Sequence, residues 1–500
     1  MDSYSMFLEY SADDSLARIK SDRDEDWQRL SGEMALDLFR KCAARVPAYR
    51  DFLRQRGVDP AAVRNMDDFT GIPATNKENY INHYPVDQLC WDGKLDKSRL
   101  LASSSGSTGS PNFWPVFDEQ TRQAAEVWEL IYKDFLDAKE RPTLFIVAFA
   151  MGLWAAGTST MMSNEWISRK GYPITMATPG THIPDVLSII RSMHKHFDQI
   201  VIAGYPPHVK NIIDAGIREN LDWKKLRLKF LFTGEAFTER WRNNFARQTG
   251  LGNILTDALN MYGSADVGLV AHETPLTVYL RRKAAEDGNL TSALFGDNRV
   301  PAVNQYNPET RYFETIDGRL VVTAPSSIPL VRYNTMDLGG TLTYGDLQNR
   351  LAARGIELDE EAKALGIAHR IWKTPLVYLF GRGKFAASIY GITIFPEYTK
   401  WILDAPELAH VLTGKFIIAT EDTDDMQQRL RLRVELVEGA DSSEHNRELV
   451  KTVFVRELPK ISSEYRALLL DMGERVNPEI SLHPYGDPDY FPKGIVKKGA

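Results

Sequence analysis

Apolar residues follow two spacings that change along the chain. Up to about Tyr80 they recur every three to four positions, as over Trp27 to Ala44, and this spacing predicts helices. Val46-Pro-Ala-Tyr-Arg interrupts them, and Phe69 to Pro73 reads as a turn into the next unit. The run Gln120 to Lys139 places Ala124, Val127, Ile131 and Phe135 on one helical face. Leu144 to Ala150 is apolar throughout and reads as a buried strand. Short apolar runs then alternate with amphipathic ones. Ile174 to Ala177, Ile200 to Ala203 and Leu228 to Phe232 read as strands; Asp185 to His196, the stretch reaching about Glu219, and Thr238 to Gln248 read as helices. Such alternation predicts an α/β architecture with a mostly parallel sheet.

After about Leu280 the texture changes. Gly318 to Thr323, Pro329 to Tyr333 and Gly340 to Tyr344 predict short strands separated by turns, in a small barrel or an antiparallel sheet. Leu347 to Leu365, charged and Ala-rich, predicts a surface helix. Phe380-Gly-Arg-Gly-Lys384 is a Gly-punctuated turn and the candidate domain hinge. Beyond it, strands (Lys415 to Ala419, Leu430 to Val437) mix with helices (Tyr398 to Leu403, Glu444 to Leu458). The expected organisation is a large N-terminal domain of layered α/β sheets with a small barrel-like subdomain over residues 1–381, then a small α+β domain over 382–500.

Composition narrows the function classes. Five hundred residues suggest two or three domains, and 43% hydrophobic with 25% charged residues is the balance of a soluble globular protein. A net charge of -7 argues against a general nucleic-acid binder. Two cysteines, Cys42 and Cys90, exclude a disulfide framework or a Cys-rich zinc site and fit a reducing compartment. The first ten residues are acidic, with no basic segment leading into an apolar core, so no signal peptide is expected. Leu144 to Gly157, the most apolar run, is too short to span a membrane. A cytoplasmic location is expected.

Candidate chemistry gathers in four loops after strand-like runs, where open α/β sheets collect ligands. The first contains Ser104, Ser105, Gly106, Ser107, Thr108 and Gly109. Its hydroxyls and successive backbone N–H groups suit phosphate oxygens, although the same composition suits a flexible linker. It lacks the Gly-Lys-Ser/Thr ending of a P-loop NTPase, which argues against a Walker-type ATPase. The second is Thr233-Gly234-Glu235, readable also as a plain strand-to-helix turn. In the third, Tyr262-Gly263-Ser264-Ala265-Asp266, an aromatic ring can stack on a base, and a carboxylate can hold Mg²⁺ together with phosphate oxygens. In the fourth, Arg332-Tyr-Asn-Thr-Met-Asp337, a carboxylate following a strand can accept both hydroxyls of a ribose. The third is also readable as a turn with an incidental acid.

In this order the loops resemble the adenylate-forming superfamily, and more closely its phenylacetate–CoA ligase-like branch. Ser104 to Pro111 is similar to its Ser/Thr/Gly phosphate loop, Tyr262 to Asp266 to its Tyr-Gly-x-Thr/Ser-Glu motif, and Arg332 to Asp337 to its Tyr-Arg-Thr-Gly-Asp motif. Phe380 to Lys384 followed by Gly391-Ile-Thr-Ile-Phe-Pro396 resembles its hinge, the Gly-x-x-x-Phe-Pro form being typical of that branch. The resemblance runs from about residue 30 to the end. It implies attack of a carboxylate on the α-phosphate of ATP, giving an acyl-adenylate and pyrophosphate, then displacement of AMP by an acceptor, commonly the CoA thiol. Carried across, Ser105, Ser107 and Thr108 would cradle the β/γ-phosphates and Asp266 would hold Mg²⁺. Tyr262 would lie against adenine beside Gly234 and Glu235, and Asp337 would bind ribose. Arg382 would contact ribose or phosphate, and Lys384 would sit at the hinge of a mobile C-terminal domain.

Some positions depart from the pattern. Asn112 stands where many relatives carry Lys, and Asp266 replaces the commoner Glu. The adenylation lysine has no clear match; of Lys493, Lys497 and Lys498 the choice here is Lys497. The segment between Asp337 and Arg382 is longer than usual. By resemblance, Gly204, Tyr205, Pro206, His208 and Trp154 would line the acyl pocket, whose aromatics suit a flat aryl acid or belong to the core. The expected function is an AMP-forming ligase joining a carboxylic acid to CoA. The alternatives pass the acyl group to an amine, hydroxyl or carrier-protein thiol, or bind nucleotide without turnover. Expected partners are a small carboxylic acid with CoA or a carrier protein, and neither nucleic acid nor membrane; a homodimer is left open.

Overall fold

A computed structural model of the chain describes residues 2–104, 112–382, 387–394, 396–403, 405–423 and 425–491. They divide into two units, residues 2–104 with 113–381 and residues from 382 onward. Among the described residues no helix is long and apolar enough to cross a membrane.

In the first unit, β1 (Ser98–Ser104) and β2 (Asn112–Phe117) form a two-stranded sheet on either side of the Ser/Gly loop. The large sheet begins with β3 (Thr143–Ala148), β4 (Ile174–Ala177), β5 (Gln199–Gly204), β6 (Leu228–Phe232) and β7 (Ala258–Ser264). These lie in the order β4-β3-β5-β6-β7 and are parallel throughout. β3, β5 and β6 are buried at every position, which is why they read as unbroken apolar runs. The crossovers are the amphipathic helices Ala155–Arg169, Ile183–Met193, Pro206–Arg218 and Glu239–Thr249.

The strands after β7 continue the same sheet. β8 (Gly268–His272), β9 (Ala302–Gln305), β10 (Tyr312–Ile316), β11 (Arg319–Ala324), β12 (Leu330–Leu342) and β13 (Leu376–Arg382) complete eleven strands, ordered β7-β8-β9-β13-β12-β11-β10. Of the two arrangements expected after Leu280, the antiparallel one is adopted; instead of closing into a separate barrel, these strands extend the sheet from β7. Asp317 (φ 50°) and Gly318 (φ 70°) make the two-residue turn between β10 and β11.

Two expectations are corrected here. The segments read as separate strands at Pro329 to Tyr333 and Gly340 to Tyr344 belong to one strand, β12. Left-handed residues at Arg332 (φ 48°) and Met336 (φ 67°) interrupt the local pattern, while pairing to β11 carries the strand through. The helix read over Leu347 to Leu365 is two, Tyr344–Ala352 and Leu358–Ala364, broken where Gly355 takes φ 73°.

The second unit contains the hairpin β14 (Ala387–Ile389) and β15 (Ile392–Ile394), turned by Tyr390 (φ 48°) and Gly391 (φ 82°). It also contains a three-stranded sheet of β16 (Leu412–Asp422), β17 (Gln428–Leu436) and β18 (Glu479–His483). Helices Pro396–Leu403, Glu444–Ile461 and Ser463–Met472 pack with these strands around a core that includes Ile389, Leu432, Phe454 and Tyr465. The α+β reading of this part holds. β18, parallel to β17, had no separate signal in the sequence.

Candidate functional site

Parallel strands bring the chain out repeatedly at one edge of a sheet. Phe149, Tyr205, Thr233 and Tyr262 all lie at or just beyond the carboxyl ends of β3, β5, β6 and β7, where such sheets bind ligands.

Two carboxylates define the centre, one from each of the third and fourth loops, and each is held by a tyrosine of the other loop. The Tyr262 hydroxyl donates to Asp337 Oδ2 at 2.7 Å, and the Tyr333 hydroxyl donates to Asp266 Oδ2 at 2.8 Å. Ser264 Oγ also donates to Asp266 Oδ1. Both carboxylates are buried, at 8% and 7% exposure for Asp337 and Asp266. Burial, and then the neighbouring Asp337 carboxylate, push the Tyr262 phenol well above its ordinary range, so it remains a donor. Gly263 is dictated by the backbone: a Cβ there would come within 2.5 Å of the Gly268 carbonyl oxygen.

On β12 the Asp337 N–H donates to Thr335 Oγ1 at 3.3 Å, and Thr335 Oγ1 donates to the Leu320 carbonyl at 3.1 Å. Arg332 does not belong with the ligand-facing groups. Its Nε donates to Glu314 at 2.6 Å, and its Nη1 donates to the carbonyls of both Thr70 and Ile72. The chain it clamps continues to Thr75, which bonds across β12: Thr75 N to the Arg332 carbonyl at 2.9 Å and Asn334 N to the Thr75 carbonyl at 2.8 Å. Two residues on, Lys77 Nζ lies 3.8 Å from Asp266 Oδ2.

Gly234 and Glu235 are brought beside this centre. Thr233 Oγ1 donates to the Met261 carbonyl at 3.0 Å, and Asn260 Nδ2 donates to the Glu235 carbonyl at 3.1 Å. Gly234 has φ 93°, a conformation that favours glycine. Beneath lies a buried ionic cluster. Arg242 donates to Glu273 at 2.7 Å and to Glu239 at 2.9 Å, and Arg281 Nη1 lies 2.5 Å from Glu273. Burial works to raise the Glu273 carboxyl, but the two guanidiniums hold it below its ordinary range. Glu273 accepts the Asn260 N–H at 2.7 Å, and Arg281 donates to the Phe237 carbonyl at 2.6 Å; the cluster thus ties β7 to the end of the Thr233–Glu235 loop.

The residues expected to line an acyl pocket fall at or after the ends of β3 and β5. Ala148 and Gly204 are paired, and the next residues form an edge-to-face pair, Phe149 and Tyr205, with centroids 5.1 Å apart. Gly204 is required by packing, since a Cβ would lie 2.6 Å from Val209 Cγ2. Pro206 opens the following helix, and His208 is buried in its first turn. Trp154 caps the helix after β3 and bridges to Ser103, with the Ser103 N–H donating to the Leu153 carbonyl at 2.8 Å. Trp154 therefore lies along β1, next to Ser104.

Ser104 ends β1 and Arg382 ends β13. Ser105, Gly106, Ser107, Thr108, Gly109, Lys384 and Lys497 lie outside the described residues. Among the described residues no group of three or more His, Cys, Asp or Glu side chains could hold a metal. Asp266 suits Mg²⁺ in one way, as a single buried carboxylate sharing the ion with phosphate oxygens. Sequence reading missed Tyr333 and Lys77 as neighbours of Asp266. Tyr333 stood inside the fourth loop; nothing local marked Lys77.

No family model matches the chain. It is 25% identical over 400 residues to a phenylacetate–coenzyme A ligase of Thermus thermophilus, covering 79% of this chain and 78% of the relative. It is 23% identical over 300 residues to the phenylacetate–coenzyme A ligase of Escherichia coli, covering 59% and 62%. Its fold is that of a 2-hydroxyisobutyryl-CoA ligase crystallised with 2-HIB-AMP and CoA, with TM-score 0.65, 15% identity and coverage of 96% of this chain and 90% of that one. The chain is thus similar over most of its length to phenylacetate–coenzyme A ligases, and it shares the fold of an AMP-forming CoA ligase, with the described second, third and fourth loops brought together at one sheet edge.

Proposed function

We propose that the protein is an AMP-forming acid–CoA ligase that activates a small carboxylic acid, of aromatic type, with ATP. The observation that supports this best is the crossed pair of Tyr–Asp hydrogen bonds, which sets two buried carboxylates beside Gly234 and Glu235 at the sheet edge. The similarity to phenylacetate–coenzyme A ligases over most of the chain supports the same chemistry.

The reaction has two halves. An acid is ionised near pH 7 and needs no general base. One of its oxygens attacks the α-phosphorus of ATP, the bond to the β-phosphate oxygen breaks, and pyrophosphate leaves with the electron pair. The CoA thiol then loses its proton and attacks the acyl carbon, expelling AMP. For both steps the protein supplies position and charge. Asp337 accepts the ribose hydroxyls while Tyr262 holds its carboxylate and presents a ring face to adenine, beside Gly234 and Glu235. The hydroxyls of Ser105, Ser107 and Thr108, with the backbone from Ser104 to Gly109, surround the β/γ-phosphates. Mg²⁺, bound by Asp266 and phosphate oxygens, would offset charge on the leaving pyrophosphate.

Phe149 and Tyr205 form the aromatic wall for the acid, with Gly204, Pro206, His208 and Trp154 around it. Residues 1–381 form the adenylating domain and 382–500 a mobile domain, with Arg382 contacting ribose or phosphate, Lys384 at the hinge and Lys497 acting in adenylation. A cytoplasmic location suits these substrates.

Acid-dependent pyrophosphate release, measured with ATP, Mg²⁺ and a panel rich in aryl acids, tests the reading. Mass spectrometry with CoA should then show the thioester. A panel without any acid-dependent pyrophosphate rejects ligase activity for those acids; pyrophosphate without a thioester moves the acceptor to an amine, hydroxyl or carrier-protein thiol.

A further inference from the structure

The two carboxylates at the centre of the site pose an electrostatic problem. Asp266 and Asp337 are both buried, and the proposed substrate brings a highly anionic triphosphate towards them. After the Ser/Gly loop the chain carries Asn112 and not a lysine. Arg332 is turned away to Glu314 and to two backbone carbonyls. Beside the proposed Mg²⁺, a further cation from the first unit would make the site more attractive to phosphate.

Lys77 occupies the right place. Its ammonium is 3.8 Å from Asp266 Oδ2 and 5.8 Å from the centre of the buried Trp114 ring. Trp114 lies on β2, the strand that leaves the Ser/Gly loop. Lys77 thus stands between the candidate metal ligand and the exit of the phosphate loop. Its side chain is 24% exposed, open enough to meet an incoming anion.

Its position is built by the surrounding chain. Thr75 is bonded to β12 through both backbone groups, and its hydroxyl donates to the Val331 carbonyl at 3.0 Å. Asn76 and Asn79 then close a turn around Lys77: each backbone N–H donates to the other's side-chain oxygen, at 2.8 and 2.7 Å, and Asn79 Nδ2 donates to the Ala74 carbonyl at 3.0 Å. A lysine needed only to neutralise Asp266 could sit on any flexible loop. This one is fixed to the strand that carries Tyr333 and Asp337.

We infer that Lys77 binds the triphosphate of ATP, supplying from the N-terminal region the positive charge that Asn112 does not. The inference rests on the ligase reading for its ligand. A lysine ammonium is a compact point charge on a flexible stem and can leave Asp266 for a phosphate oxygen without backbone movement.

Titration calorimetry of the full-length protein tests this, with Mg–ATP and with adenosine, for the wild type, Lys77→Met and Lys77→Arg. Losing one charge-assisted contact should weaken ATP by about ten-fold or more, leave adenosine unchanged, and be partly restored in Lys77→Arg. Unchanged ATP affinity overturns the inference. An equal loss for ATP and adenosine also overturns it, because a lysine that merely holds the local fold would act on both. Failure of the ligase reading is separable: a wild type that binds ATP but releases no acid-dependent pyrophosphate removes the ligase activity and leaves Lys77 to be judged by binding. If the wild type binds no ATP, both fall.

Discussion

The crossed tyrosines invite a direct test at Tyr262. Replacing it with Phe removes one oxygen and keeps the ring, so no core cavity opens and any stacking on adenine survives. What is lost is the 2.7 Å bond to a buried carboxylate. A hydrogen bond to a charged group contributes about 1.5–3 kcal/mol, and with Asp337 at 8% exposure water replaces it poorly. A cycle of Tyr262→Phe, Asp337→Ala and the double variant, read by denaturant unfolding, should therefore return a coupling energy of about 2 kcal/mol. The part of this energy that orients Asp337 towards ribose appears in binding, as an ATP affinity reduced by about 3- to 10-fold. The ratio of ATP to 2′-deoxy-ATP affinity separates orientation from stacking. It should fall in Tyr262→Phe, because a poorly held Asp337 reads the 2′-hydroxyl less well, whereas a role through the ring alone would leave it unchanged. Since burial and Asp337 hold the phenol well above its ordinary range, the effect should be flat from roughly pH 6 to 9. A coupling energy below about 0.5 kcal/mol, or an unaltered deoxy ratio, would refute the reasoning.

Two further predictions concern stability. Burial raises the Glu126 carboxyl from 4.5 to about 7, against the pull of Arg122, so the folded state binds the extra proton and stability falls as pH rises between those values. Burial lowers His272 from 6.5 to about 4, so the unfolded state binds the extra proton and stability falls as pH drops through that range. Between pH 4.5 and 6.5 the two slopes, each about 1.4 kcal/mol per pH unit, oppose one another. Glu126→Gln should make stability rise with pH in this window and His272→Asn should make it fall; parallel profiles for wild type and both variants would count against these assignments. Met336, with φ 67°, stands where the resembled motif has Gly. The left-handed conformation costs an ordinary residue about 1–2 kcal/mol, and the greater backbone entropy of glycine offsets about 0.5–1 kcal/mol. Met336→Gly should then gain about 0.5–1 kcal/mol in denaturant unfolding, and a loss would show that the position is unstrained.

Much of the fold could be read locally. β3, β5 and β6 are apolar because both faces are covered, so each announces itself without reference to its partners. Gly355 and Asp317-Gly318 mark their breaks by the same local logic, although the helix over Leu347 to Leu365 was read through the glycine. β12 was harder, because Arg332 and Met336 take conformations that strand propensity disfavours, and the strand is carried through them by pairing with β11 and by Thr75. Arg332 shows what a motif does not say: it stands in the same loop as Asp337, yet its guanidinium clamps the chain at Thr70 and Ile72.

The sequence by itself determined the alternation of strands and helices, the order of the four loops, and the residue types available for nucleotide chemistry. These depend on spacing and composition within a few residues, where one side chain's periodicity or a glycine's freedom suffices. Tertiary structure decided which groups meet. Tyr262 holds Asp337, Tyr333 holds Asp266, and Lys77 arrives from a distant turn, because the fold brings β7 and β12, with three strands between them in the sheet, to one place. A hydrogen bond or an ammonium 3.8 Å from a carboxylate depends on position in space. No local pattern encodes it.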